Sequence, residues 1–279
     1  MALTMFLLAA VYIVFIGVLS LYANFGTVVV FAGIFLLVQY FFSDRLALRS
    51  MGAREVDEDE YPDLHRMVGR LSQQADLPKP TVAVADTSTP NAFATGRSKK
   101  TATVCVTTGL MRSLNEDELE GVVAHELAHV KNRDVMVMTI ASFLATIAMF
   151  IIRWGWLFGG GRDRQGGGPQ ILVAIAASVA VWIISFLLIR ALSRYREFAA
   201  DRGGAAITGK PSALASALMT IDQRMDKVPD RDMREQSEMN AFFIVPLDKG
   251  MIAKLFRTHP STERRIERLR DLERDLETA

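Results

Sequence analysis

The sequence predicts a mainly α integral membrane protein, with four transmembrane helices carrying an α+β domain on the cytoplasmic side. Three observations lead there. Charged residues are absent from Met1 to Phe42, yet dense from Arg45 to Arg70 and again from Lys254 onward. Four apolar stretches reach or approach the roughly 20 residues a helix needs to cross a bilayer: Met5–Tyr22, Thr27–Phe42, Val135–Ile152 and Ile171–Ile189. Between and after them the chain changes to short alternating strands, turn residues and amphipathic helical periodicity.

The first two stretches flank the uncharged turn "ANFG", so residues 1–42 read as an N-terminal hairpin. No basic n-region precedes the first stretch, which makes it an anchor rather than a cleaved signal. Residues 43–134 form the first part of the soluble domain, 135–189 a second hairpin, and 190–279 the second part of that domain. The run "GGGRDRQGGGP" inside the second hairpin reads as a flexible connector, and Trp154 and Trp156 suit a membrane interface.

Orientation follows from the basic residues that flank the spans. Arg45, Arg49, Arg54, Lys131, Arg133, Arg190, Arg194 and Arg196 all fall on one side of a four-span arrangement. The far side has "ANFG" and a loop with Arg153, Arg162 and Arg164. The bias places both termini and both soluble segments in the cytoplasm. A net charge of +1 over 279 residues argues against a nucleic-acid partner. There is no nucleotide-binding glycine loop and no internal repeat. The spans Val135–Ile152 and Ile171–Ile189 hold no ionisable residue, which argues against a transporter or channel. The single cysteine, Cys105, lies in "TATVCVTT" and reads as a core thiol on a buried strand.

In the soluble segments, "DEYPDLHRMVGRLSQQADLP" spaces Leu64, Met67, Val68 and Leu71 on one helical face and ends at Leu77-Pro78. "TVAVADT" and "TATVCVTT" read as strands, with turn residues and a basic end in the "PNAFATGRSKK" between them. "NEDELEGVVAHELAHV" opens a helix, with Asn115 as N-cap and Glu118 completing a capping box. At the C-terminus, Ile266, Leu269, Leu272 and Leu276 form one apolar stripe among charges.

His125 and His129 lie four apart on that helix, so both imidazoles fall on one face, one turn apart. Zinc takes neutral imidazole nitrogens, and in H-E-x-x-H the glutamate, here Glu126, serves as general base. Two histidines at this spacing also pack or cap without a metal. A third ligand is needed. His65 reads as a surface residue. "SRYREFAADRGG" offers Glu197 and Asp201, again four apart: one carboxylate for the metal and one to hold a zinc histidine, or else an ordinary charged helix paired with Arg194, Arg196 and Arg202. Topology favours the first. If the His125 helix continues into the span at Val135, His129 lies roughly 9 Å outside that span, and Glu197 roughly 12 Å past the fourth, at 1.5 Å per residue. A hairpin of the third and fourth spans then brings these residues to similar height, just above the bilayer.

"PNAFATG", "AHELAHVKNRD", the second apolar pair, "SRYREFAAD" and "THPSTERRI" together resemble the HtpX-type membrane zinc metalloproteases, distant relatives of the prenyl-protein (CAAX) zinc endopeptidases. The resemblance covers nearly the whole chain. It implies a zincin-like (gluzincin) domain with one Zn2+ on His125, His129 and Glu197, Glu126 as catalytic base, and Asp201 behind the ligands. It implies a multi-pass inner-membrane endopeptidase whose site faces the cytoplasm. Its partners would be the lipid bilayer and polypeptide substrates, membrane or misfolded proteins, in quality control under stress. "PNAFATG" looks like the substrate-binding edge strand, with Asn91 and Ala92 offering groups to a peptide. His259 and Arg265 match the C-terminal motif, either beside the oxyanion or as surface residues. A non-catalytic zinc scaffold or sensor is the alternative, and it would not need Glu126.

Overall fold

The structure, a computed structural model, describes residues 2–20, 25–139, 168–225 and 260–278, together with residues 141, 142, 145, 147 and 148. The end of the third apolar stretch, residues 159–167 of "GGGRDRQGGGP", Trp154, Trp156 and His259 lie outside the described residues. The chain divides into two compact units. One is Met1–Phe42 with Met136–Ser193, and the other is Ser43–Val135 with Arg194–Ala279.

The first unit is helical. It contains α1 (Ala2–Ser20) and most of α2 (Phe25–Ser50), and the long helix α6 (Gly168–Thr208) begins in it. Its apolar contacts join Phe15, Ala148 and Val181 in one cluster and Leu8, Ala141 and Leu192 in another. Among the described helices, Ile175–Thr208 of α6 is long and apolar enough to cross a membrane, and α1 holds a shorter apolar run, Phe6–Phe15. Among the described residues, every exposed large hydrophobic except Leu276 lies on α1, α2 or α6. Apolar surface of this extent outside a core fits a lipid environment rather than water.

The second unit is α+β. Its strands are β1 (Ala53–Glu55), β2 (Thr81–Ala85), β3 (Ala92–Thr95) and β4 (Thr103–Thr107), in the spatial order β1-β2-β4-β3. β2 and β4 pair in parallel, and β1 and β3 pair antiparallel on either side of them. The central strands place Val82, Val84, Val104 and Val106 on one face and Ala83 and Cys105 on the other, and both faces are buried. α3 (Pro62–Gln74) buries Leu64, Met67, Val68 and Leu71 as its periodicity predicts. The three-residue β1 is too short to carry a pattern and was missed in the sequence.

His65 corrects an expectation. It is buried rather than on the surface, because α3 turns it towards the chain after β1, where its Nε2 lies 3.0 Å from the Val56 carbonyl. Cys105 is fully buried on β4, as expected.

After α4 (Thr108–Ser113) comes α5 (Glu116–Asn132), the central helix of the unit. It packs against β3, β4, α3 and α7 (Pro211–Met225), and the last helix, α8 (Thr262–Thr278), lies on α7. On the C-terminal stripe Ile266 and Leu269 are buried, while Leu276 is exposed.

α5 does not run on into the third apolar stretch. It stops at Asn132, with Arg133 in the left-handed conformation (φ 57°, ψ 38°), and residues 134–139 are helical again. The continuous helix expected there is therefore two segments, and the break has a chemical consequence at Asp134.

Candidate active site

Two helices build the site. α5 begins with the capping box read from the sequence: Glu118 N–H donates to Asn115 Oδ1, and Asn115 N–H donates to Glu118 Oε2. From Gly121 to Ala128 every residue of α5 is buried, so His125 and Glu126 are carried into the interior. α6 approaches α5 closely because both are small at the contact. A Cβ on Gly203 would come 2.7 Å from the Ala128 Cβ, and one on Gly204 would come 2.9 Å from the His125 nitrogen. That approach brings Asp201, less than a turn back along α6, and Glu197, about two turns back, to the His125 and His129 rings.

His125, His129 and Glu197 converge. The two Nε2 atoms are 3.1 Å apart, Glu197 Oε2 is 3.6 Å from His125 Nε2, and Glu197 Oε1 is 3.6 Å from His129 Nε2. One ligand atom from each residue lies within 4.8 Å of the others. For zinc bonds of about 2.0–2.2 Å, tetrahedral geometry separates ligand atoms by roughly 3.3–3.6 Å. The donor set and its spacing therefore fit a tetrahedral divalent cation. The charges fit too. Among the described residues at the site, the carboxylates of Glu126, Asp134, Glu197 and Asp201 face the guanidiniums of Arg196 and Arg265. The balance of −2 is what a dication offsets.

The far side of each imidazole is held by an aspartate. His125 Nδ1 lies 3.0 Å from Asp201 Oδ1, and His129 Nδ1 lies 2.6 Å from Asp134 Oδ2. This fixes both rings with Nε2 forward. Asp134 was not identified in the sequence. It sits just beyond the left-handed Arg133, so it reaches back to His129 across a helix break rather than along helical spacing. Arg196 Nε, 3.0 Å from Asp134 Oδ1, completes that arm. The neighbour of Glu197 on α6 thus serves the other histidine.

Arg265 comes from α8 and is 1% exposed. Its Nε and Nη2 donate to the two Asp201 oxygens at 2.9 and 2.6 Å, and Nη1 lies 3.3 Å from Glu197 Oε2. It belongs to the site and not to a surface ion pair. Burial works against the charge of Asp201, but Arg265 and His125 hold its carboxyl below the usual carboxylate range. Burial likewise opposes protonation of His125, yet Asp201 and Glu197 outweigh it and push the imidazole up to about 9.

Glu126 points elsewhere. Its Oε2 accepts from the Ala94 N–H at 2.8 Å, on β3. Burial raises its carboxyl above the ordinary range, helped by Glu197 and opposed by the two histidines. Among the described residues no strand pairs with the outer side of β3. Thr107 N–H donates to the Asn91 carbonyl, so by antiparallel alternation residues 91, 93 and 95 face β4, while Ala92 and Ala94 turn their backbone groups outward. Asn91 itself is fully buried, and its N–H donates to Thr107 Oγ1.

The family profile described as "Peptidase family M48" matches residues 58–273. The chain is 55% identical to the "Protease HtpX homolog" of Moorella thermoacetica over 99% of its own length and 94% of the relative's. It is 54% identical to the "Protease HtpX homolog 2" of Methanosarcina mazei, over 99% and 95%. The crystal structure of S. mikatae Ste24p shares the fold, with a TM-score of 0.55 at 17% identity, and the match covers 94% of this chain but spans 62% of that one. A HExxH helix, a carboxylate helix and an edge strand arranged in this way, in a chain this similar to HtpX proteases, are the features of one enzyme class: the chain belongs to peptidase family M48 and is a membrane-bound metalloprotease.

Proposed function

We propose that the protein is a zinc endopeptidase held by four transmembrane helices, with its site on the cytoplasmic side, that cleaves extended segments of membrane or misfolded proteins in quality control. The observation that carries this reading is the spacing of 3.1–3.6 Å among the His125, His129 and Glu197 donor atoms, next to a Glu126 hydrogen-bonded to a free-edge strand.

His125 Nε2, His129 Nε2 and Glu197 would hold the ion, which supplies Lewis-acid polarisation of a carbonyl and a lowered water pKa. The chain's own residues do the rest. An extended peptide adds to the outward groups of Ala92 and to the Ala94 carbonyl as a further strand, which fixes the scissile bond beside Glu126, the acceptor of the Ala94 N–H. Glu126, with its raised pKa, takes a proton from the attacking water as the new C–O bond forms. It then gives that proton to the leaving amine as the C–N bond breaks. Asp201 and Asp134 keep the imidazoles oriented. Arg265 gives its donors to Asp201 and Glu197, which suits a residue that positions the ligand set.

The test is cleavage of an unstructured protein by the full chain in detergent, with and without chelator. Cleavage that survives complete metal removal would sink the proposal. For topology, membrane-impermeant thiol reagents should reach a cysteine placed near Lys210 from the cytoplasmic side and one near Gly167 from the opposite side.

A further inference from the structure

The connection between β3 and β4 is a short rigid turn with a basic tip. Thr101 N–H donates to the Ser98 carbonyl at 3.1 Å, and the Ser98 N–H donates to Thr101 Oγ1 at 3.2 Å. Lys99 and Lys100 are the two central residues, and Lys100 is exposed. Gly96 closes the neck at φ 125°, where a Cβ would come 2.5 Å from the Thr101 carbonyl oxygen. The turn is tied to the end of α2 by an ion pair, Arg97 Nε to Asp44 Oδ2, at 3.4 Å. Asp44 follows Phe42, the last residue of the charge-free N-terminal run, by two residues, roughly 3 Å along a helix. Around it on α2, Arg45 and Arg49 are exposed, and so is Leu46. No acidic residue occurs between Asp86 and Glu116.

We infer that the β3–β4 turn docks on anionic lipid headgroups and so seats the substrate-pairing strand against the bilayer surface. Level and charge decide the partner. Arg97 anchors the turn at Asp44, where α2 leaves its apolar run, so Lys99 and Lys100 stand at headgroup height, the level at which α2 also exposes Arg45 and Arg49. A tip with two cations, whose neighbouring Asp44 carboxylate is already paired with Arg97, matches the negative potential of a cytoplasmic leaflet. The turn continues directly from Thr95, so headgroup contact would hold the outward edge of Ala92 and Ala94 at a fixed distance from the membrane. A segment emerging from the bilayer would meet that edge as soon as it is extended. The inference rests on α2 as a transmembrane helix.

The full-length protein is reconstituted in vesicles of phosphatidylcholine alone or with about one third phosphatidylglycerol, and Ser98→Cys carries a nitroxide to report depth. In anionic vesicles the label should enter the headgroup region, and cleavage of a substrate with no acidic residues should increase. Lys99→Gln with Lys100→Gln should lower docked occupancy by about thirty-fold and remove the lipid effect, since each cation contributes independently near an anionic surface. Activity in neutral detergent should be the same for both. Equal label depth in both vesicle types would overturn the inference. So would a double variant that keeps its lipid response but loses cleavage of acidic segments in detergent, which would assign the turn to the substrate. A chain that fails to float with either vesicle would instead overturn the transmembrane reading, and the inference with it.

Discussion

Asp134 Oδ2 lies 2.6 Å from His129 Nδ1, across the left-handed residue that ends the histidine helix. The carboxylate is 1% exposed and its other oxygen meets Arg196. The carboxylate thus bridges the His129 ring and the Arg196 guanidinium, and through the first of these it orients a ligand. Asp134→Leu should therefore lower zinc affinity by about 10- to 100-fold, and Asp134→Asn by less, since an amide oxygen can still accept from Nδ1–H. Competition with a chelator gives the midpoints. Equal midpoints for parent and Asp134→Leu would remove Asp134 from the site. Arg196→Gln should follow in the same direction, but weakly.

Glu126 and Glu197 separate chemistry from metal binding. Glu126 bonds the Ala94 N–H and belongs to no ligand pair, whereas both Glu197 oxygens face the imidazole Nε2 atoms. Glu126→Gln should keep stoichiometric zinc and lose proteolysis, by at least the 10²- to 10⁴-fold typical of a general base. Glu197→Ala should lose both. Zinc content by atomic absorption beside a cleavage assay separates the two. Normal zinc in the Glu197 variant would refute its role as ligand.

What the sequence revealed and what it hid follow from distance along the chain. His125, Glu126 and His129 are legible because helical period alone places them on one face. The capping box at Asn115 and Glu118 is legible for the same local reason. Glu197 and Asp201 carry a period but no partner, so their pairing with α5 depended on topology and on the family resemblance. Asp134 was hidden because it reaches His129 through a left-handed turn, which no periodic pattern encodes. Arg265 was visible as part of a motif, but its partner Asp201 is 64 residues away and separated by α7, so its role was not. β1 was too short to show alternation, and His65 was misplaced because its acceptor, the Val56 carbonyl, follows that strand.

Arg265 gives a stability prediction. It is buried against Asp201 and Glu197, and removing one member of a buried ionic group leaves the others uncompensated. Such losses typically cost about 3–5 kcal/mol. Arg265→Leu should therefore unfold markedly earlier, with the deficit smaller in saturating zinc, because the dication offsets the same carboxylates. Arg265→Lys should recover part of the loss, as a point charge without the paired donors to Asp201. Thermal unfolding of the three proteins, with chelator and with zinc, tests this. A deficit that zinc leaves unchanged would mean that Arg265 matters for packing alone.

Cys105 offers a probe that leaves the site intact. It is fully enclosed on β4, and burial, with a smaller contribution from the nearby Glu126 carboxylate, pushes its thiol up to about 12. Thiolate is the reactive form, and an unfolded cysteine ionises near 8.5. At pH 8 the native protein should resist alkylation for as long as it stays folded, while the denatured chain should react at the rate of a free thiol. The sign of the pH effect follows from the same shift. Folding keeps the thiol protonated, so its contribution is constant below the unfolded pKa. As pH rises from about 9 towards about 12, the unfolded state holds fewer protons than the native one, and stability falls by up to about 1.4 kcal/mol per unit. Alkylation followed by mass spectrometry at pH 8 and pH 10 measures both. Rapid native labelling at pH 8, without loss of activity, would mean that β4 opens locally while the site stays assembled.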